Sequence, residues 1–481
     1  MSKREGYIKK EDRKKILLLC DDIRMHSGIA TMAREIVLGT AHKYNWLQLG
    51  AAIKHPDHGK RFDLSKNIAG QINVEDPYVH IIPWNGYGDA QTVRNLINTD
   101  RPDAIMIFTD PRYWVWLFHI EREIRMKMPI FYLNIWDDYP APLYNRDYYR
   151  SCDLLMGISK QTVNINKIVL GDEAKDKVIK YVPHGINEKS FFKIDEKYPN
   201  YEAYQKFTKS IFKDKDIKYT VFFNSRNIRR KSPADLILGF RLFCDSIGKE
   251  AAKECALILH TTPKDQNGTD LVAVKEALCD PEYVNVYFSK QKLSTEQMNW
   301  MYNLADLNVL PSSNEGWGLS LTEAMMSETM IAANVTGGMQ DQMRFVDDKG
   351  KWIDFDSDFP SNHRGTYKEC GEWAIPIFPS NISVVGSIPT PYIFDDRCSA
   401  EDIAKAIKQS YDLGPEERSK RGKAAREWVT SDEAGMTSIN MCKNFINSVE
   451  ETFVKFKPRA EFDFYKVEDK KSNYIEHKLI Y

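Results

Sequence analysis

Residues 305–326 restrict the fold more than any other part of the chain. A short, mostly apolar run over 305–310 passes through Pro-Ser-Ser-Asn-Glu-Gly-Trp-Gly into helical spacing of apolar residues over 319–326. A short apolar strand that leaves through a glycine-containing loop into a helix reads as half of a parallel βα unit. Such a turn aims backbone N–H groups and the positive end of a helix at a phosphate. Glu315 in the loop and Glu323 on the helix would repel that phosphate, but carboxylates suit sugar hydroxyls, which donate hydrogen bonds. The stretch is thus suited to a ligand that is sugar, diphosphate and sugar in sequence. An isolated pair of this kind would more simply be two solvated glutamates on a surface helix.

The same strand–helix alternation runs through the chain twice. Strands are expected at 15–20, 46–52, 79–82, 104–107, 130–134, 154–157 and 178–181, with helices near 29–43, 89–98, 112–126 and 160–169. A charged, aromatic-rich stretch over 188–218 shows no long apolar face and reads as an interdomain connection. Alternation then restarts with strands at 219–224, 256–260, 284–287, 307–310 and 331–334 and helices at 233–246, 270–279 and 294–304. An irregular insertion is expected near 345–395, followed by helices near 400–412, 415–429 and 434–453. The fold class is α/β, with two Rossmann-like parallel-sheet domains. At 481 residues the chain is too long for one ordinary core, so we expect domains over 1–200 and 201–436 and a C-terminal helix and tail over 437–481.

Composition narrows the class. Apolar residues make up 42% and charged residues 28%, which describes a globular chain rather than a disordered one. The net charge of −1 gives no global field for a polyanion. No apolar run approaches the roughly 18 residues that span a bilayer, and the apolar run over 16–20 is too short for a signal peptide. Eight cysteines lie singly, as expected for reduced thiols of a cytoplasmic protein.

The loop after the strand at 219–224 reads Ser-Arg-Asn-Ile-Arg-Arg-Lys-Ser. Cations at the carboxyl end of a parallel strand sit where open α/β sheets bind ligands, and there they stabilise charge developing on a departing diphosphate. By itself a basic loop is more often solvated surface. The run from 293 to 338, with Glu-Gly-Trp-Gly-Leu-Ser-Leu-Thr-Glu and a later Gly-Gly, resembles the C-terminal domain of retaining GT-B glycosyltransferases, the family 4 or "group 1" enzymes. That resemblance implies a GT-B fold and transfer of a hexosyl or pentosyl group from a nucleotide-diphosphate sugar, with retention, without metal or cofactor. Glu315 then contacts the donor sugar and Glu323 the ribose, while Arg226 and Lys231 match the family's diphosphate-binding Arg and Lys. Gly316, Trp317, Gly318 and Leu319 complete the donor loop, and Ser225 stands where the family has Gly.

In the first half, Ser27 and Gly28 resemble the family's glycine loop, with Gly28 toward the donor phosphate and Ser27 toward the acceptor. Pro183-His184-Gly185 resembles its segment at the end of the first domain. Asp137 and Asp138 stand near the place where many members carry a His, and either could position the acceptor hydroxyl or take its proton. A polar loop that caps the next helix is the plain alternative. His55, Asp57 and His58 form no convincing metal set. Residues 1–66 hold 14 Lys and Arg against 8 Asp and Glu, including Lys54, Lys60 and Arg61, which suits a polyanionic acceptor. The charged lead into the first strand and the 27–30 loop also resemble bacteriophage glycosyltransferases that decorate hydroxymethylcytosine in DNA. A glycan, lipid or small-molecule acceptor is the alternative, and so is a non-catalytic sugar-nucleotide or carbohydrate-binding protein on the same fold.

Overall fold

The computed structural model describes residues 6–51, 54–213, 215–363 and 365–462. Two sheets organise it. The first contains β1 (Lys14–Asp21), β2 (Tyr44–Ala51), β3 (Phe62–Asp63), β4 (Val79–Pro83), β5 (Ala104–Phe108), β6 (Ile130–Asn134), β7 (Leu154–Gly157) and β8 (Val178–Tyr181). Its order is β3-β4-β2-β1-β5-β6-β7-β8, parallel except for the edge strand β3. Alternate residues of β1 feed different cores, as the period of two requires. Ile16 and Leu18 face the helix Gly28–Thr40 and the last helix, Ser438–Lys455, while Leu17 and Leu19 face the helices Ala90–Asp100 and Lys160–Leu170. Each such side chain contributes about 1.5–3 kcal/mol on burial, which is why a continuous apolar run is kept in a strand covered on both faces.

The second sheet contains β9 (Tyr219–Asn224), β10 (Cys255–His260), β11 (Asn285–Ser289), β12 (Leu307–Leu310), β13 (Met330–Asn334) and β14 (Ala374–Ile377). Its order, β11-β10-β9-β12-β13-β14, is parallel throughout and reverses direction between β9 and β12. Ligands of such sheets lie beyond the carboxyl ends of the strands at that reversal. The 224–231 loop and the 311–318 loop leave from these two strand ends.

Three expectations needed correction. The insertion near 345–395 is partly regular: it supplies β14 and an antiparallel hairpin of β15 (Asn381–Ser387) and β16 (Thr390–Arg397). The 188–218 connection holds the helix Tyr201–Phe212, whose Tyr204 and Phe207 pack on the Trp300 ring at 6.3 and 5.3 Å. The single helix expected over 112–126 is broken into a 3-10 turn, Pro111–Trp114, and two short helices, Val115–His119 and Glu121–Arg125.

The last helix returns to the first domain. Phe445 lies 6.0 Å from the Trp46 ring, the Tyr44 hydroxyl donates to Glu450 at 2.6 Å, and Lys180 pairs with Glu451 at 2.6 Å. Gly39 permits this approach, since a Cβ there would sit 2.1 Å from Cys442 Sγ. Expectations for residues 463–481 lie outside the described residues.

Candidate functional site

A cleft of about 1610 Å³ runs between the two domains. The first domain contributes loops after β1, β5 and β6, and the second contributes loops after β9, β10, β11 and β12. The loop that holds Glu315 is fixed by backbone packing. Gly318 adopts φ +85 at the start of the helix Leu319–Met326, a left-handed conformation that glycine enters without steric cost. A Cβ on Gly337 or Gly338 would lie 2.1 Å from the carbonyl oxygen of Glu315 or Gly316, respectively. Gly316 in turn sits against the first domain, where a Cβ would be 2.9 Å from the Ile135 carbonyl oxygen. The Gly-Gly at 337–338 is therefore what lets β13's loop clamp the glutamate loop from below.

The charged groups form linked pairs. Lys231 is buried, and its amine donates to Glu315; Arg230 lies 3.6 Å from the same carboxylate oxygen and donates to the Asn314 carbonyl at 2.6 Å. Burial, and then the nearby Arg230 guanidinium, hold the Lys231 amine well below the ordinary lysine range. Arg226 is different. Its side chain is 63% exposed and grips Asp265 through Nε at 2.8 Å. Arg229 pairs with the buried Asp395 of β16. Glu323 lines the cleft and accepts a 2.5 Å hydrogen bond from the buried Tyr302 hydroxyl, which itself accepts from Asn224 at 2.8 Å. Burial pushes the Glu323 carboxyl up to about 7, against the Tyr302 hydrogen bond.

Glu315, Lys231, Gly316, Gly318, Leu319 and Glu323 are thus brought together on one wall. Trp317 belongs to this loop, but its indole is 2% exposed and donates to Thr322 at 2.9 Å, so its ring braces the loop from inside. On the facing wall lie Ser27, Gly28, Asp137 and Asp138. Ser27 caps the helix Gly28–Thr40 by accepting from Ala30 N–H at 3.1 Å and donates to Asp21 at 2.7 Å. Gly28 faces the other domain, with a Cβ there 3.3 Å from Leu319 Cδ1. Burial, then Asp137, push the Asp138 carboxyl well above the usual carboxylate range.

Lys54, Lys60 and Arg61 are not part of the cleft lining. They lie near the outer edge of the first sheet, where Lys60 pairs with Asp57 and Arg61 with Asp100, each at 2.7 Å. The sheet order puts β3 and β4 beyond β2, so these three residues stand apart from the cleft lining. His55 and His58 each accept a backbone N–H through Nδ1, from Asp57 at 3.0 Å and from Asn85 at 3.1 Å. His184 is buried between Phe108 and Trp317, and burial lowers its pKa to about 3, leaving a neutral ring.

The sequence reading missed Asp110, Arg112 and the β15–β16 hairpin, all in the cleft. Two β-branched and aromatic runs around Gly386 and Pro389 were the available hairpin signal. Nothing in the sequence marked the Asp110–Arg112 pair, because a cleft position after β5 depends on the sheet order.

Residues 282–356 match the family model described as "Glycosyl transferases group 1". No curated protein matches the chain. Among solved structures, Anabaena Alr3699/HepE, in complex with UDP and glucose, superposes at TM-score 0.59 with 13% identity, over 91% of this chain and 100% of that one. Sucrose-phosphate synthase from Thermosynechococcus elongatus gives 0.61 and 14% over 92% and 100%. An alpha,alpha-trehalose 6-phosphate synthase from Burkholderia multivorans gives 0.56 and 9% over 92% and 99%. The two facing parallel-sheet domains are therefore a GT-B fold. Within that fold, the segment of the second domain that matches the group 1 glycosyl transferase model spans the glutamate loop and its helix.

Proposed function

We propose that this protein transfers a hexosyl or pentosyl group from a nucleotide-diphosphate sugar to an acceptor hydroxyl, with retention at the anomeric carbon. The observation that carries this is the wall formed by Glu315, Lys231 and Glu323 around a glycine loop at the β9–β12 reversal. Glu323 accepts hydrogen bonds from the ribose hydroxyls, and Glu315 holds a hydroxyl of the donor sugar. Lys231 turns from Glu315 to the diphosphate as charge develops there, joined by Arg226 once it leaves Asp265. The bond from the anomeric carbon to the β-phosphate oxygen breaks, and the bond to the acceptor oxygen forms on the same face. The acceptor proton passes to the departing phosphate oxygen, with Asp137 or Asp138 orienting the hydroxyl. No metal or resident cofactor takes part in this scheme.

UDP in the HepE complex makes uridine diphosphate sugars the first donors to test. A thermal-shift panel of nucleotide sugars identifies the donor, since a ligand at about 100 times its dissociation constant adds roughly 2.7 kcal/mol. Slow donor hydrolysis that disappears in Glu315→Ala supports an enzyme. Donor binding with no hydrolysis and no transfer supports the binding-protein reading instead. Acceptors are compared on one panel: small glycosides, lipid-linked sugars, and DNA duplexes with hydroxymethylcytosine or plain cytosine. A DNA acceptor predicts steep loss of binding with salt and no transfer to plain cytosine.

A further inference from the structure

The cleft lining extends beyond the glutamate loop to a second group of side chains. There the first domain presents Asp110, Arg112 and Trp136, and the β15–β16 hairpin presents Val385, Ser387 and Ile393. A two-stranded hairpin is marginal by itself in water, so its anchors determine where it lies. On the second-domain side Asp395 pairs with Arg229 and accepts from Asn314 at 3.2 Å. On the first-domain side Phe394 N–H donates to the Tyr139 carbonyl at 2.6 Å and the Tyr144 hydroxyl donates to the Tyr392 carbonyl at 2.9 Å. Arg112 also donates to the Thr390 hydroxyl. The hairpin belongs to the second domain by sequence, yet it is held against the first.

The chemistry of this group differs from that of the glutamate loop. Arg112 Nε donates to both oxygens of Asp110, at 2.8 and 3.0 Å, and the guanidinium lies 6.0 Å from the Trp136 ring centroid. A paired carboxylate and guanidinium offer an acceptor and donors side by side with little net charge. Asp137 and Asp138 lie on the same wall, whereas Arg230 and Lys231 are engaged at Glu315. A phosphate-bearing acceptor would meet carboxylates here, with Arg112 already paired to Asp110, while Lys290 and Lys292 of the cleft lie on the loop after β11, at the opposite edge of the second sheet from β14. A neutral ring could set its hydroxyls against Asp110 and Arg112 and its C–H face against Val385 and Ile393.

We propose that Arg112 and the β15–β16 hairpin form the acceptor subsite, and that it takes a neutral, hydroxyl-bearing sugar ring in preference to a sugar phosphate. This rests on the reading of the glutamate loop as the donor site. Asp395 acts as a positioning residue, since it fixes the hairpin without lining the cleft.

Saturation-transfer NMR on the full chain with UDP present tests the subsite without requiring turnover. The probes are methyl α-glucoside, methyl β-glucoside and methyl α-mannoside, against glucose 6-phosphate and fructose 6-phosphate. Binding of at least one methyl glycoside is expected, at least tenfold tighter than either phosphate and at least tenfold weaker in Arg112→Ala. Ser387→Trp, at an exposed hairpin position, should block the same probe without disturbing the core. Tighter binding of a phosphate, no binding of any methyl glycoside, or binding that survives both substitutions would overturn the proposal. Thermal stabilisation by UDP is measured alongside. No stabilisation by UDP, nor by ADP, GDP, CDP or TDP, would remove the donor reading, while the glycoside arm still decides the hairpin's role.

Discussion

At the residue scale, the site separates two cations that look equivalent in the sequence. Lys231 is buried on Glu315, whereas Arg226 sits largely in solvent on Asp265. Lys231→Ala is therefore expected to lower kcat by about 10²–10³, the scale of losing one preorganised electrostatic partner of a transition state. Arg226→Ala should cost no more than about tenfold, because water already screens it. Steady-state kinetics on both variants check this, and equal losses would contradict the assignment. Glu323 gives a pH test. Its pKa of about 7 means that ionised carboxylate, the better acceptor for ribose hydroxyls, accumulates between pH 6 and 8. Affinity for intact UDP-glucose, whose phosphodiester oxygens do not titrate there, should rise across that range. The rise should vanish in Glu323→Gln. The same carboxyl has a folded pKa above the ordinary 4.5, so its contribution to stability is present below pH 4.5 and is lost as pH rises through about 7. At pH 8 the unliganded Glu323→Gln protein should accordingly melt higher than the parent, a cost that the parent bears for ligand binding.

At the scale of elements, the glutamate loop depends on glycines that are not in it. Gly338 has no left-handed φ, but a Cβ would meet the Gly316 carbonyl oxygen at 2.1 Å, and a backbone oxygen in a packed loop has little room to move aside. Gly338→Ala should lower stability by about 1–3 kcal/mol, as overpacking does, and weaken UDP binding by shifting Gly316. Gly70, in the helix Ser65–Ile72, has open space where a Cβ would go, and Gly70→Ala should be neutral or stabilising by up to about 1 kcal/mol. Melting curves with and without UDP distinguish the two. These elements also show what was legible beforehand. The βα unit at 305–326 declared itself because its strand is buried on both faces, which leaves a continuous apolar run, and its loop has a distinctive composition. The helix Tyr201–Phe212 did not, because none of its residues is fully buried and its aromatic face meets only one edge of the second domain. The β15–β16 hairpin was hidden for a similar reason: β15 has no buried residue, β16 buries chiefly polar ones, and anchors from distant segments hold the pair in place. The cleft glutamates could be read from spacing, whereas Arg112 becomes meaningful only once the sheet order brings the end of β5 opposite the hairpin.

At the scale of the whole molecule, a buried carboxylate lies where the two domains meet. Asp341 of the second domain accepts a 2.9 Å hydrogen bond from Lys160 N–H, at the start of the first-domain helix Lys160–Leu170, and a 3.0 Å bond from the Tyr181 hydroxyl at the end of β8. Its other oxygen is buried without a hydrogen bond. The groups that face it are the Lys160 amine, which is turned to Asp354 at 3.0 Å, the neutral Tyr181 phenol, and the Asp354 carboxylate. Burial outweighs the two donors and Lys160, and raises the Asp341 pKa from 3.8 to about 6. If the domains separate, water reaches the carboxyl and the pKa returns toward its ordinary value. The closed form therefore binds the proton more tightly than the open form, and its advantage is present below about pH 4 and is lost as pH rises through about 6. At 1.36 kcal/mol per pKa unit the whole change amounts to about 3 kcal/mol, of which about 1.4 kcal/mol, roughly a tenfold shift, falls between pH 5 and pH 7. Small-angle scattering on the unliganded protein should show a larger radius of gyration at pH 7 than at pH 5. Asp341→Asn keeps an oxygen that can accept from both Lys160 and Tyr181 but cannot ionise, so this variant should stay equally compact at both values. Other raised carboxyls, such as Asp138 and Glu323, persist in the variant and serve as the internal control. An unchanged pH response after Asp341→Asn would assign the opening to one of them instead.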